Sequence, residues 1–248
     1  MTDPRMGIIK DRMKDIDHVI AVSSGKGGVG KSLIASTLAL TMVKKGCRVG
    51  LFDLDFTSPS THIVLNIPEL YPEEEKGIIP PLTRGLRYMS IVYYSGEHAT
   101  PLRGSDVSNA LIELLAITRW NALDFLIVDM PPGISDATLD IIRLIKRIKF
   151  LLVTTPSQLA FETVRKLMEL LFQLDIPVIG VIENMKIERS PRTRERIEDK
   201  GVKFWGVIPF DVTVEQAIGD PDRLLQTRFG RELEEIVQHR LGLGILDS

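Results

Sequence analysis

The chain has 248 residues, 44% hydrophobic and 26% charged, with a net charge of −2, a balance that supports a sizeable core and lacks the basic footprint of a general nucleic-acid binder. One cysteine, Cys47, excludes an intramolecular disulfide, and no stretch approaches the roughly 18 apolar residues of a membrane span. The first residues, Met1-Thr2-Asp3-Pro4-Arg5, have no apolar signal core, so a soluble, cytoplasmic protein without membrane or nucleic-acid partners is expected.

In chain order, Ile8, Ile9, Met13 and Ile16 among Arg5, Lys10, Arg12 and Lys14 suggest a short amphipathic helix in an N-terminal extension, 1–17, that covers the core. Short apolar runs then alternate with helical patterns, the signature of a parallel sheet buried on both faces. Strands are predicted at 18–23, 48–53, 125–129, 150–155, 178–183 and 204–208, and helices at 31–44, 106–118, 136–146, 161–174 and 229–241. Cys47 opens an apolar strand and reads as a packed thiol. The stretch 77–94 reads as a hairpin or an edge strand. The last helix carries a Phe229, Leu233, Ile236, Val237 and Leu241 stripe beside Glu232, Glu234 and Glu235, which fits core packing.

The strongest chemical signal is Gly25-Lys26-Gly27-Gly28-Val29-Gly30-Lys31-Ser32, a P-loop between a strand and a helix. Its glycines let backbone N–H groups converge on phosphate oxygens at a helix N-terminus. Gly25, Gly27, Gly28, Val29, Gly30, Lys31, Ser32 and Leu33 are the candidate cradle for ATP or ADP. Lys31 supplies the cation for the phosphates, and the Ser32 hydroxyl is a candidate Mg²⁺ ligand. The strand ending at Asp129 has the Walker B pattern, a carboxylate for Mg²⁺, and continues into the turn Met130-Pro131-Pro132-Gly133. Phe52-Asp53-Leu54-Asp55 adds two carboxylates. Asp55 is the candidate that orients the attacking water and Asp53 the one that supports the metal; the alternative is that either caps the turn at 57–60. Asn-Lys-x-Asp, the guanine-recognition element, does not occur, which favours ATP over GTP. These signals predict a single α/β P-loop domain over 1–248, a mostly parallel twisted sheet with helices on both faces. His18, His62, His98 and His239 are scattered without metal-ligand spacing.

Lys26-Gly27-Gly28-Val29-Gly30-Lys31-Ser32 resembles the deviant Walker A motif of the MinD, ParA and Mrp ATPases. The resemblance implies a homodimer in which Lys26 reaches the partner's phosphates as a catalytic residue; the alternative is a solvated loop lysine. From about residue 18 to about 215 the chain looks most like the Mrp/NBP35 branch, on Asp129-Met130-Pro131-Pro132-Gly133-Ile134-Ser135-Asp136, Val153-Thr154-Thr155-Pro156, Glu183-Asn184-Met185 and Gly206-Val207-Ile208-Pro209-Phe210-Asp211. That resemblance implies that Asn184, with Pro209, Phe210 and Asp211, holds the adenine. The chain departs from the pattern at Leu33, where a second hydroxyl is usual, and at Ser58, where glycine is usual. It also lacks the Cys-x-x-Cys expected after Asn184-Met185. A bridged iron–sulfur cluster needs thiolates, so this absence turns the expectation toward the MinD-type HypB group of archaea. Nickel delivery for [NiFe]-hydrogenase with a HypA-type nickel chaperone is then the expected function. An iron–sulfur carrier and a MinD/ParA-like positioning ATPase are the alternatives.

Overall fold

A computed structural model describes residues 3–67, 72–95, 105–187 and 192–241. His98, the 188–191 part of the stretch standing in for the cysteine motif, and the tail beyond 241 lie outside the described residues.

Helix α1 (Arg5–Met13) leads into β1 (Ile16–Ser24), whose last residues are buried on both sides. The P-loop and α2 (Lys31–Lys44) follow, then β2 (Val49–Asp53) and α3 (Thr61–Leu65). Short strands β3 (Glu73–Glu74), β4 (Ile78–Ile79) and β5 (Leu82–Thr83) precede β6 (Leu86–Ser90) and α4 (Val92–Ser95). The second half runs α5 (Ser105–Ile117), β7 (Leu123–Asp129), α6 (Asp136–Leu144), β8 (Ile148–Thr154), α7 (Gln158–Gln173) and β9 (Val178–Lys186). It ends with α8 (Arg192–Glu198), β10 (Phe204–Pro209), α9 (Pro221–Gln226) and α10 (Arg228–Leu241).

The main sheet has the order β10-β9-β8-β1-β7-β2-β6-β5 and is parallel except where β5 turns back on β6. The 77–94 stretch is therefore a hairpin as well as a sheet edge. Arg84 and Gly85 make its two-residue turn, both at positive φ (51° and 80°), as a type I′ hairpin turn requires.

Alternation along β1 feeds two cores. Val19 and Ala21 face the layer of α1, α5, α6 and α7, through Ile9, Leu111, Ile141 and Leu167. Ile20 and Val22 face α2, α9 and α10, through Ile34, Leu38, Leu224 and Leu233. Helix α7 earns its place with Phe161, Val164, Leu167, Met168 and Leu171, one buried stripe at helical spacing. Among the described residues no helix is long and apolar enough to cross a membrane.

The sheet order brings the carboxyl ends of β1, β2 and β7 to one edge. Val22 is the register partner of Asp129, and Asp129 that of Asp53. The chain reverses its direction of winding around β1, which leaves the crevice where ligands settle in open α/β sheets.

Candidate functional site

The P-loop is shaped by close approach. A Cβ on Gly25 would fall 2.3 Å from the backbone carbon of Thr163, so only glycine lets α7 pack directly on the loop. Gly30 stands at φ 84°, and a Cβ there would meet the Asn184 amide nitrogen at 2.3 Å. That amide donates to the Val29 carbonyl at 2.9 Å, tying β9 to the loop. Beyond Gly30, α2 presents its unpaired first-turn N–H groups to a cavity of about 420 Å³. Lys26, Gly27, Gly28, Lys31, Ser32 and Leu33 line it on one side, and Asp55, Thr57, Ser58 and Pro132 on the other.

Lys31 is the hub. Its Nζ donates to Asp129 Oδ1 at 2.7 Å, lies 3.2 Å from Ser32 Oγ, and pairs with Asp55 Oδ2 at 3.6 Å. Two carboxylates thus meet one buried cation. Burial pushes the Asp129 carboxyl up to about 7, with Lys31 pulling it down and the neighbouring Asp53 charge adding to the rise. Asp129 Oδ2 is buried and has no hydrogen-bond partner. An unpaired carboxylate oxygen beside the Ser32 hydroxyl fits a hydrated divalent cation. Among the described residues no group of three or more His, Cys, Asp or Glu side chains is arranged to hold a metal by itself. A cation here would therefore complete its shell with phosphate oxygens and water, the usual habit of Mg²⁺.

The two carboxylates at the end of β2 and just beyond it, Asp53 and Asp55, face different ways. Asp55 Oδ1 accepts from the Thr57 N–H at 3.2 Å, the Thr57 hydroxyl at 2.6 Å and the Ser58 N–H at 3.2 Å, leaving Oδ2 toward Lys31. It caps the turn and faces the site at once. Asp53 is fully buried, does not line the cavity, and among the described residues accepts hydrogen bonds from its own loop. The expectation that Asp53 supports the metal meets a side chain turned to its own loop: both of its oxygens accept hydrogen bonds from residues 55–61.

Lys26 is exposed at the mouth of the cavity and makes no ion pair among the described residues. Leu33 lines the cavity half-buried, an apolar surface where a hydroxyl was noted as missing. The base-holding residues implied by resemblance are more loosely placed. Asn184 is 2% exposed, outside the cavity, with its amide committed to Val29. Pro209 ends β10, Phe210 follows 53% exposed, and its N–H donates to Lys186. Asp211 accepts from the Thr213 N–H and hydroxyl and from the Phe229 N–H, which makes it a cap of α10. In this structure the Asp211 and Asn184 side chains each brace neighbouring backbone. Sequence reasoning singled out Ser58 but missed Ser24, Thr57, Ser60 and Val64 in the cavity wall; the run of hydroxyls after Asp55 was the available signal.

The family model described as ParA, NUBPL iron-transfer P-loop NTPase, matches residues 15–239. The chain belongs to this family. An iron–sulfur cluster carrier protein of Pseudomonas fragi is 39% identical, over 71% of this chain and 62% of its own length. This chain thus spans less than two thirds of that relative. One of Methanocaldococcus jannaschii is 34% identical, over 93% of this chain and 86% of its own. Among solved structures, a nucleotide-binding protein of Archaeoglobus fulgidus in complex with ADP, with cobalt, superposes with a TM-score of 0.75 at 29% identity. It covers 88% of this chain and 92% of that one.

These names overturn the nickel reading. The family and its relatives are named for iron transfer and iron–sulfur clusters, so nickel delivery to a hydrogenase and the HypA-type partner fall away. That reading rested on the missing Cys-x-x-Cys, and the loss of a motif does not move a chain out of its family. The missing thiolates remain a property of this family member. Cys47 precedes β2, at the amino end of the strands and opposite the P-loop, and burial pushes its thiol up from its ordinary value.

Proposed function

We propose that this protein is a Mg²⁺-dependent ATPase that works as a two-fold dimer in iron–sulfur cluster handling, with the cluster thiolates supplied by another chain. The observation that carries the ATPase reading is Lys31 poised between Asp129 and Asp55 at the floor of the cavity. Nucleotide phosphates entering there would take over Lys31 and the N–H groups of α2. Ser32 and the unpaired oxygen of Asp129 are the groups to hold Mg²⁺, which when bound supplies neutralising charge for the phosphates. Asp55 orients water from the opposite wall. Lys26 makes no ion pair among the described residues and stands exposed at the cavity, which supports a role in a partner's site across a two-fold axis.

The iron–sulfur assignment is supported by the family description and by what the relatives are named for. A cluster is cargo, and this chain offers one half-buried thiol at the far end of the sheet. The chain is then the nucleotide-driven member of a pair whose other member carries the cysteines.

The experiment measures ATP turnover by the purified chain alone and with a cysteine-bearing carrier relative, empty or cluster-loaded, and follows transfer from that carrier to an acceptor apoprotein. Turnover that responds to the loaded carrier, and transfer that accelerates with ATP, are the expected results. No turnover in any arm sinks the ATPase reading. A stoichiometric cluster on this chain alone, lost in Cys47→Ser, sinks the division of labour.

A further inference from the structure

Asp53 ends β2 with its carboxylate fully buried, a setting in which its acceptor positions must be filled. One oxygen accepts from the Asp55 N–H at 3.1 Å. The other accepts from the N–H of Ser60 at 3.2 Å, the N–H of Thr61 at 3.1 Å and the Thr61 hydroxyl at 2.6 Å. Both ends of the loop carrying Asp55 are thereby tied to one side chain. The Thr61 hydroxyl also lies 2.9 Å from the Tyr88 hydroxyl on β6. Leu51 and Tyr88 are register partners, so Tyr88 lies on the same face of the sheet as Asp53. Thr61 spends its single proton on the carboxylate, and the tyrosine donates the second bond. Burial pushes the Tyr88 phenol well above its ordinary value, which keeps it a neutral donor.

We propose that Asp53, Thr61 and Tyr88 form a positioning relay that holds the 55–60 loop against the cavity and so sets the attitude of Asp55 toward Lys31. Asp53 acts through the loop and is not a ligand of the nucleotide's metal. The relay runs from β6, a strand that contributes nothing to the cavity wall, into the loop that does. Its kinetic readout rests on the ATPase reading; its structural readout does not.

The test compares Thr61→Val, Thr61→Ser, Tyr88→Phe and Asp53→Asn for turnover, for affinity toward a fluorescent ATP analogue, and for the Mg²⁺ concentration giving half-maximal rate. Thr61→Val keeps the side chain's shape and loses the hydroxyl. It should lower kcat roughly threefold to tenfold, with nucleotide affinity and Mg²⁺ requirement within about twofold of wild type. Thr61→Ser should restore the rate, and Tyr88→Phe should fall between. Should Thr61→Val fail to fold, Tyr88→Phe carries the test, since it removes one hydroxyl and leaves the packing. Wild-type kcat in Thr61→Val or in Tyr88→Phe overturns the relay. A tenfold or larger rise in Mg²⁺ requirement in Asp53→Asn restores Asp53 to the metal and also overturns it. If the wild-type chain hydrolyses no ATP, the ATPase reading has failed and amide exchange judges the relay alone. Faster exchange of residues 56–61 in Thr61→Val and Tyr88→Phe then supports it, and unchanged exchange rejects it.

Discussion

The loop at 25–32 and the loop at 53–61 face each other across Lys31, and they are held in different ways. The first is confined by close approach: α7 sits against Gly25, Asn184 against Gly30, and any Cβ at either place collides. The second is held by hydrogen bonds to a buried carboxylate and by the Asp55 turn inside it. Confinement by contact leaves one shape and suits a cradle that must present N–H groups in fixed directions. Hydrogen bonds to a buried carboxylate tie the ends of the loop firmly, while the Asp55 turn between them rests on the less buried Thr57 and Ser58. The contrast teaches that the two walls of one site are held by different interactions.

The contrast can be broken at its centre. Lys31→Ala removes the cation shared by both loops, and nucleotide affinity should fall by a hundredfold or more, about 3 kcal/mol, in a binding titration. Retained affinity would mean that the α2 amides hold the phosphates without Lys31.

Lys26→Ala comes next. It should spare nucleotide binding and lower turnover per subunit by roughly a thousandfold, the low side of what a cation supplied in trans delivers. Turnover per subunit in the wild type should also drop on dilution as a dimer dissociates. Rates equal to wild type in Lys26→Ala would leave Lys26 a solvated side chain.

Asn184→Ala sharpens the cradle side. Losing the bond to the Val29 carbonyl should weaken nucleotide affinity by about tenfold or less, near 1 kcal/mol, with kcat little changed. A large loss of kcat at unchanged affinity would contradict the role of Asn184 as a brace.

The smallest effect is in the pH profile of stability without nucleotide. Burial raises Asp129 to about 7 against an ordinary value of 3.8. Between those values the folded chain keeps a proton that the unfolded chain has released. The stability from this group is therefore fully present below about pH 4 and is lost as pH rises through about 7. Melting curves of Asp129→Asn between about pH 5 and about pH 8 should show a flatter decline than the wild type. An equal slope in both would remove Asp129 as the source.

The P-loop was legible because its constraint is local: glycines at set spacing and Lys-Ser at the start of a helix specify it without reference to distant residues. The parallel sheet was legible for the same kind of reason, since strands buried on both faces are apolar throughout. The short helices α3, α8 and α9 escaped because five to seven residues carry too little periodicity to register. Asp53 and Asp55 were visible as a pair, yet nothing along the chain distinguishes a carboxylate that faces a cavity from one swallowed by its own loop. The bracing contacts of Asn184 and Asp211 were hidden for a related reason, because their partners, Val29 and Phe229, are far away or on another element.

By itself the sequence determined the fold class, the P-loop with its Lys31 and the shortage of thiolates, all of which follow from residue type and short-range spacing. The tertiary structure alone decided that β2 and β7 lie side by side, so that Asp53 and Asp129 become register partners, Lys31 falls between Asp129 and Asp55, and Tyr88 reaches Thr61 from the next strand. Strand order is set by how helices pack on both faces of the sheet. The division of these carboxylates into one that braces a loop and two that meet Lys31 exists only once those strands are neighbours.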